Sequence, residues 1–201
     1  MRYQFLRVKN LFLSVVLAVA GTVVIRASEN VPVQARPAPV FTRHLETIQS
    51  SVPPGLIMRL PSQILLSGPT DVDPSELIVR VFPSETPLAY TVSLFTCYSN
   101  PQPCLVGSFS VEKKNSLNAI RELEKHKAAG DRITLRKDIR GYLLEGKTQK
   151  PSYEFSSVMW QQDDFIYRVS FPTIERSNIL LMANSMANDV PLFRRVSRPL
   201  P

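Results

Sequence analysis

Apolar and polar positions change period several times along this chain, and each change marks an element. Leu77-Ile78-Val79-Arg80-Val81-Phe82 and Tyr90 to Cys97 are rich in β-branched and aromatic residues and are bounded by proline, so both predict strands. Ile57 to Leu60 and Gln63 to Leu66 are shorter candidates of the same kind, and Leu105 to Glu112 continues the pattern through Val106, Phe109 and Val111. The period then lengthens. Leu117, Ile120 and Leu123 recur at helical spacing behind a capping Asn115 or Ser116, and Gly130 offers a left-handed stop, so Ser116 to Ala129 predicts a helix. Its other face, with Arg121, Glu122, Glu124, Lys125 and Lys127, reads as solvated. His126 falls on that face, four residues after Glu122, as one half of an exposed pair.

Strand patterning resumes at Arg132 to Leu135, Gly141 to Glu145, Tyr153 to Trp160 and Phe165 to Phe171, with Gln161-Gln162-Asp163-Asp164 as a hairpin turn between the last two. Pro172-Thr173 then opens a helix in which Ile179, Met182, Ala183 and Met186 form one apolar stripe, its methionines read as core filler. Sequential hairpins followed by an amphipathic helix predict an α+β domain, a mostly antiparallel meandering sheet packed against two helices.

The ends of the chain read differently. Arg2, Arg7 and Lys9 precede an uncharged, mainly apolar run from Leu11 to Ile25, the layout of an export signal; the run is short for a bilayer span. Residues 1–28 are therefore expected to be a signal peptide or, if uncleaved, a membrane anchor acting through residues 11–25. From Glu29 to about residue 55, Pro32, Pro37, Pro39, Pro53 and Pro54 suggest a linker, with a helical turn possible at Arg43 to Ile48. That leaves residues 56–193 as a single domain and 194–201 as a basic tail holding Arg194, Arg195 and Arg198. The formal charge of +7 drops to +3 without the four cations at Arg2, Arg7, Lys9 and Arg26, too mild for nucleic-acid binding.

Cys97 and Cys104 are the chain's 2 cysteines, and turn-forming residues separate them. If the flanking strands pair, the thiols face each other, and an oxidising compartment would join them in a disulfide. Their spacing matches neither a redox C-x-x-C motif nor a zinc site. There is no nucleotide-binding glycine loop, no G-x-S-x-G and no H-E-x-x-H, and His44 sits in the linker. The stretch Asp71-Val72-Asp73-Pro74-Ser75-Glu76 reads as a capped turn rather than a calcium loop, and Asp163 and Asp164 as a hydrated hairpin tip. Trp160 and Tyr167 flank that tip, placed for cross-strand packing or for stacking on a ligand. No catalytic, metal-binding or cofactor-binding residue is assigned, and no cofactor is expected.

The segment Val158-Met159-Trp160-Gln161-Gln162-Asp163-Asp164-Phe165-Ile166-Tyr167-Arg168-Val169-Ser170, with the helix end Met182-Ala183-Asn184-Ser185-Met186, resembles the last hairpin and helix of uncharacterised exported bacterial domains found in lipoproteins and envelope regulators. Over a longer reach, Leu60-Pro61-Ser62, the two cysteines and Gly141-Tyr142-Leu143-Leu144-Glu145-Gly146 are similar to uncharacterised exported cyanobacterial proteins. The resemblance implies a periplasmic or thylakoid-lumen setting and carries no activity with it. The expectation is a non-enzymatic binding or interaction module whose partner is an envelope protein or a lipid surface. Two alternatives stand beside it: a hydrolase or transferase with scattered catalytic groups, and a peripheral assembly subunit docking through its arginine tail.

Overall fold

Alternating apolar positions and tight turns lay the strands down as sequential neighbours. The computed structural model describes residues 35–67, 73–98 and 104–192. These form seven strands: β1 (Ile78–Glu85), β2 (Leu88–Phe95), β3 (Leu105–Lys113), β4 (Asp131–Arg136), β5 (Ile139–Leu144), β6 (Phe155–Gln162) and β7 (Phe165–Pro172). They also form four α-helices: α1 (Pro39–Thr42), α2 (Leu45–Ser51), α3 (Leu117–Ala129) and α4 (Arg176–Asn188). The strands make one antiparallel sheet in the order β1-β2-β3-β7-β6-β5-β4. It consists of two meanders, and α3 carries the chain from β3 to the far edge at β4. The fold is α+β, as its pattern predicts.

One face of the sheet carries the main core. Tyr90, Val92, Leu94, Phe109, Val111, Val158, Trp160, Tyr167, Val169 and Phe171 alternate inward on the central strands. The stripe Ile179, Met182, Ala183 and Met186 of α4 covers them, all four sealed from solvent. Glu175 begins α4 by accepting the Ser67 amide and the Asn178 side-chain amide, and Arg59 ends it by donating Nη1 to the Met186 and Asp189 carbonyls at 3.2 and 2.6 Å. Both buried charges are thereby used in holding one helix.

The segment expected to be a linker belongs to this core over much of its described length. Ala38, Val40, Phe41, Ile48 and Val52 are buried, and Tyr90 donates a hydrogen bond to the Ile48 carbonyl at 2.9 Å. The prolines misled because Pro39 occupies the first turn of α1, where proline is well tolerated. Helices of 4 and 7 residues are also too short to show a period. The domain thus begins well before residue 56.

Three further expectations change. Residues 57–60 and 63–66 form no strands; their trace carries an isolated bridge, Met58 to Leu192, and Ala38 donates its amide to the Pro61 carbonyl. Gly130 ends α3 with φ −105°, not left-handed. Glycine is needed there for space, since a Cβ would lie 2.6 Å from both the His126 and Leu143 carbonyl oxygens. Finally, α3 is rotated relative to its apolar stripe. Leu117 is 80% exposed, while Ala119, Leu123 and His126 are buried.

Candidate functional site

The rotation of α3 creates the chemically distinctive region of the molecule. Ser116 caps the helix, its hydroxyl accepting the Ala119 amide at 3.4 Å and donating to Glu112 at 2.6 Å. Ala119 and Leu123 then rest on Met159 and Ile166, a small apolar patch on the sheet face opposite the main core. One turn further on, the helix lowers His126 against β6. The imidazole is 1% exposed, with Nδ1 2.7 Å from the Glu122 carbonyl and Nε2 2.8 Å from the Ser157 hydroxyl. A carbonyl can only accept, so Nδ1 carries the proton, and Nε2 accepts from Ser157.

Burial pushes the His126 pKa down to about 4; the Glu122 carbonyl opposes this, while the nearby Arg168 and Lys125 cations add to it. His126 is therefore neutral at physiological pH and held in one tautomer. This overturns its reading as an exposed partner of Glu122. The periodicity hid it because a histidine next to Lys125 and Lys127 looks like one more solvated residue.

Register places Ser157 in a row of hydroxyls. Ser93 pairs with Ser108, Ser108 with Ser170 and Ser170 with Ser157, across β2, β3, β7 and β6. Directly opposed residues share a face, so all four lie on the α3 side. Arg168 lies two residues before Ser170 and therefore on the same face. A cavity of about 250 Å³ opens between α3, this face and the loop after β5, lined among others by Glu122, Lys125, His126, Ser157 and Arg168. Lys125 lies over the Tyr153 ring at its rim, 5.2 Å from the ring centre. Gly146 also lines the cavity and donates its amide to the Ser156 hydroxyl at 3.1 Å.

Arg168 has an unusual environment. Its residue is half-buried, its Nε is sealed without a hydrogen-bond partner, and among the described residues no carboxylate closes an ion pair with it. Burial lowers its pKa, partly offset by the more distant Glu122 and Glu112. No strand-pattern argument could single it out, since an arginine in β7 reads from sequence as an outward-facing residue.

The residues singled out by sequence do not assemble into one site. Trp160 and Tyr167 are cross-strand partners, stacked with centres 5.4 Å apart, and are 0% and 1% exposed. Trp160 donates to Gln162, and Tyr167 to the Ile57 carbonyl at 3.0 Å. Their surfaces are thus spent on packing. Cys97 and Cys104 form a disulfide with Cα atoms 5.6 Å apart, just after β2 and just before β3. Asp73 accepts the Ser75 amide at 2.8 Å as a turn cap; Asp71 lies outside the described residues. At the β6–β7 tip Asp163 takes φ +56°, and Asp164 pairs with Lys114 at 2.6 Å. His44 precedes α2, and burial lowers its pKa with help from Arg43.

Arg194, Arg195, Arg198 and residues 11–25 also lie outside the described residues. Among the described residues no three His, Cys, Asp or Glu side chains are grouped to hold a metal ion, and no helix is long and apolar enough to cross a membrane. Comparison of the chain with models of known families, with curated proteins and with solved structures found no match.

Proposed function

We propose that this chain is an exported binding domain that recognises a ligand in the pocket beneath α3 and does no covalent chemistry on it. The observation that carries the reading is the state of the His126–Ser157 pair. The 2.8 Å contact is what a nucleophile and its base require, and it is the reason to weigh a hydrolase or transferase as the second reading. Yet Ser157 is 4% exposed, His126 is more buried still, and a base with a pKa near 4 has little affinity for the proton it would need to accept at neutral pH. A pocket with fixed polar groups and no poised base is suited to recognition.

Export is supported by the Arg2, Arg7 and Lys9 cluster ahead of an apolar run and by the Cys97–Cys104 disulfide. Together these favour a periplasmic or thylakoid-lumen setting, with an envelope component as the partner.

The test is turnover by the purified, oxidised protein of nitrophenyl acetate, nitrophenyl phosphate and nitrophenyl glucoside, compared with Ser157→Ala. Equal background rates are expected for both proteins. Turnover that Ser157→Ala abolishes, with the circular dichroism spectrum unchanged, would overturn the binding reading in favour of the enzyme.

A further inference from the structure

We infer that the pocket beneath α3 is an oxyanion site, in which Arg168 on the floor and Lys125 at the rim hold a carboxylate or phosphate group of a small ligand. The inference rests on the binding reading and names the chemistry of its ligand.

Two arginines of the described core face opposite fates. Arg59 donates to the carbonyls at the end of α4, so its charge answers a helix terminus. Both arginines bury an unpartnered Nε, but Arg168 has no such outlet for its other N–H groups: no described carboxylate lies within ion-pair distance of it, and Glu122 and Glu112 act on it only from farther away. A guanidinium partly withdrawn from water and bonded to no acceptor leaves N–H groups unmet, and an oxyanion entering the cavity can accept those that remain accessible. Arg168 lines a cavity that is open to such a group.

The neighbours agree with this assignment. His126 offers no proton to a ligand, because its Nδ1–H is spent on the Glu122 carbonyl and its Nε2 accepts from Ser157. Lys125 is exposed and close enough to the Tyr153 ring to be steadied over the mouth. Glu122 also lines the cavity; it disfavours a highly charged ligand and so selects for one compact anionic group. At about 250 Å³ the space admits such a group and a short stem, not a large cofactor.

The test follows the Arg168 Nε–Hε resonance and the Gly146 and Ser157 amides by NMR during titration of the oxidised protein. The probes are inorganic phosphate, glutarate, vesicles with and without phosphatidylglycerol, and the neutral sugar trehalose, each at constant ionic strength set with sodium chloride. Saturable shifts with phosphate or glutarate, weakened roughly tenfold or more in Arg168→Gln, support the site. Shifts with anionic vesicles alone support it with a lipid headgroup as the source.

Arg168→Gln should keep or raise the melting temperature, because it removes a half-buried charge that no described carboxylate contacts directly. Lys125→Met, at the exposed rim, gives a second readout if Arg168→Gln fails to fold, and it too should weaken binding. Equal anion responses in wild type and both variants would overturn the inference. Pocket shifts with trehalose but none with any anion would overturn it while leaving the binding reading intact, whereas turnover sensitive to Ser157→Ala would sink that reading however the anions behave.

Discussion

His126 accepts a hydrogen bond from Ser157 at 2.8 Å while its own Nδ1–H is held by the Glu122 carbonyl at 2.7 Å. Both ring nitrogens are occupied inside the protein, so the side chain that most resembles a catalytic base acts as a bolt between α3 and β6.

Acid should loosen that bolt. The folded pKa of about 4 lies below the unfolded value of 6.5, so the unfolded chain binds more protons between those limits. The contribution is fully present above about pH 6.5 and is lost as the pH falls toward 4, on the order of 3 kcal/mol in all. Urea denaturation at pH 7.5 and 4.5 should show the loss, and His126→Asn should flatten it between those pH values. The depressed carboxyls of Asp73, Asp138 and Asp164 act lower, as the pH falls below the usual carboxylate range.

Phe41 lies fully buried, edge-on to Phe109 with centres 5.9 Å apart. Phe41→Ala should destabilise the domain by about 3–5 kcal/mol, and a chain beginning at residue 56 should show no cooperative unfolding transition. A change below about 0.5 kcal/mol would return this segment to the status of a spacer.

Much of the architecture was legible because it is periodic. The β-branched alternation of Leu77 to Phe82, the paired runs around the Asp163-Asp164 turn and the Ile179–Met186 stripe are long enough to betray their faces. Phe41 and Ile48 were not legible, since they sit on two short helices among prolines. The candidate site was nearly invisible for another reason. Its members, Lys125 and His126 on a charged helix face, Ser157 and Arg168 on the adjacent strands β6 and β7, are polar residues that ordinarily face water. They meet because Leu117 turns outward, and no local pattern records that rotation. Trp160 and Tyr167, conspicuous in sequence, proved to be sealed.

The rotation of α3 can be checked at two positions with opposite outcomes. Gly130→Ala pushes a methyl against two backbone carbonyls and should cost about 1–3 kcal/mol. Leu117→Ser, although it interrupts an apolar stripe, should stay within about 0.5 kcal/mol because the side chain is 80% exposed. Chemical denaturation of the two variants settles which face is inward.

The Cys97–Cys104 bridge closes a short loop, with a sequence separation of 7. Reduction, or replacement of both cysteines by serine, should lower unfolding stability by about 2 kcal/mol without abolishing the fold, since β2 and β3 pair independently of it. Intact mass of the protein from its native source, with and without reductant, should differ by two hydrogens. The same spectrum reports where the N-terminus begins.

The protonation state of His126 bears most directly on whether this pocket recognises or transforms its ligand. Long-range nitrogen–proton NMR on labelled protein, followed from pH 8 to pH 4, reads both ring nitrogens. The predicted result is a neutral ring in the Nδ1–H tautomer that begins to titrate only near pH 4. An imidazole that titrates near its ordinary value, or that carries its proton on Nε2 and leaves Ser157 free, would contradict the account.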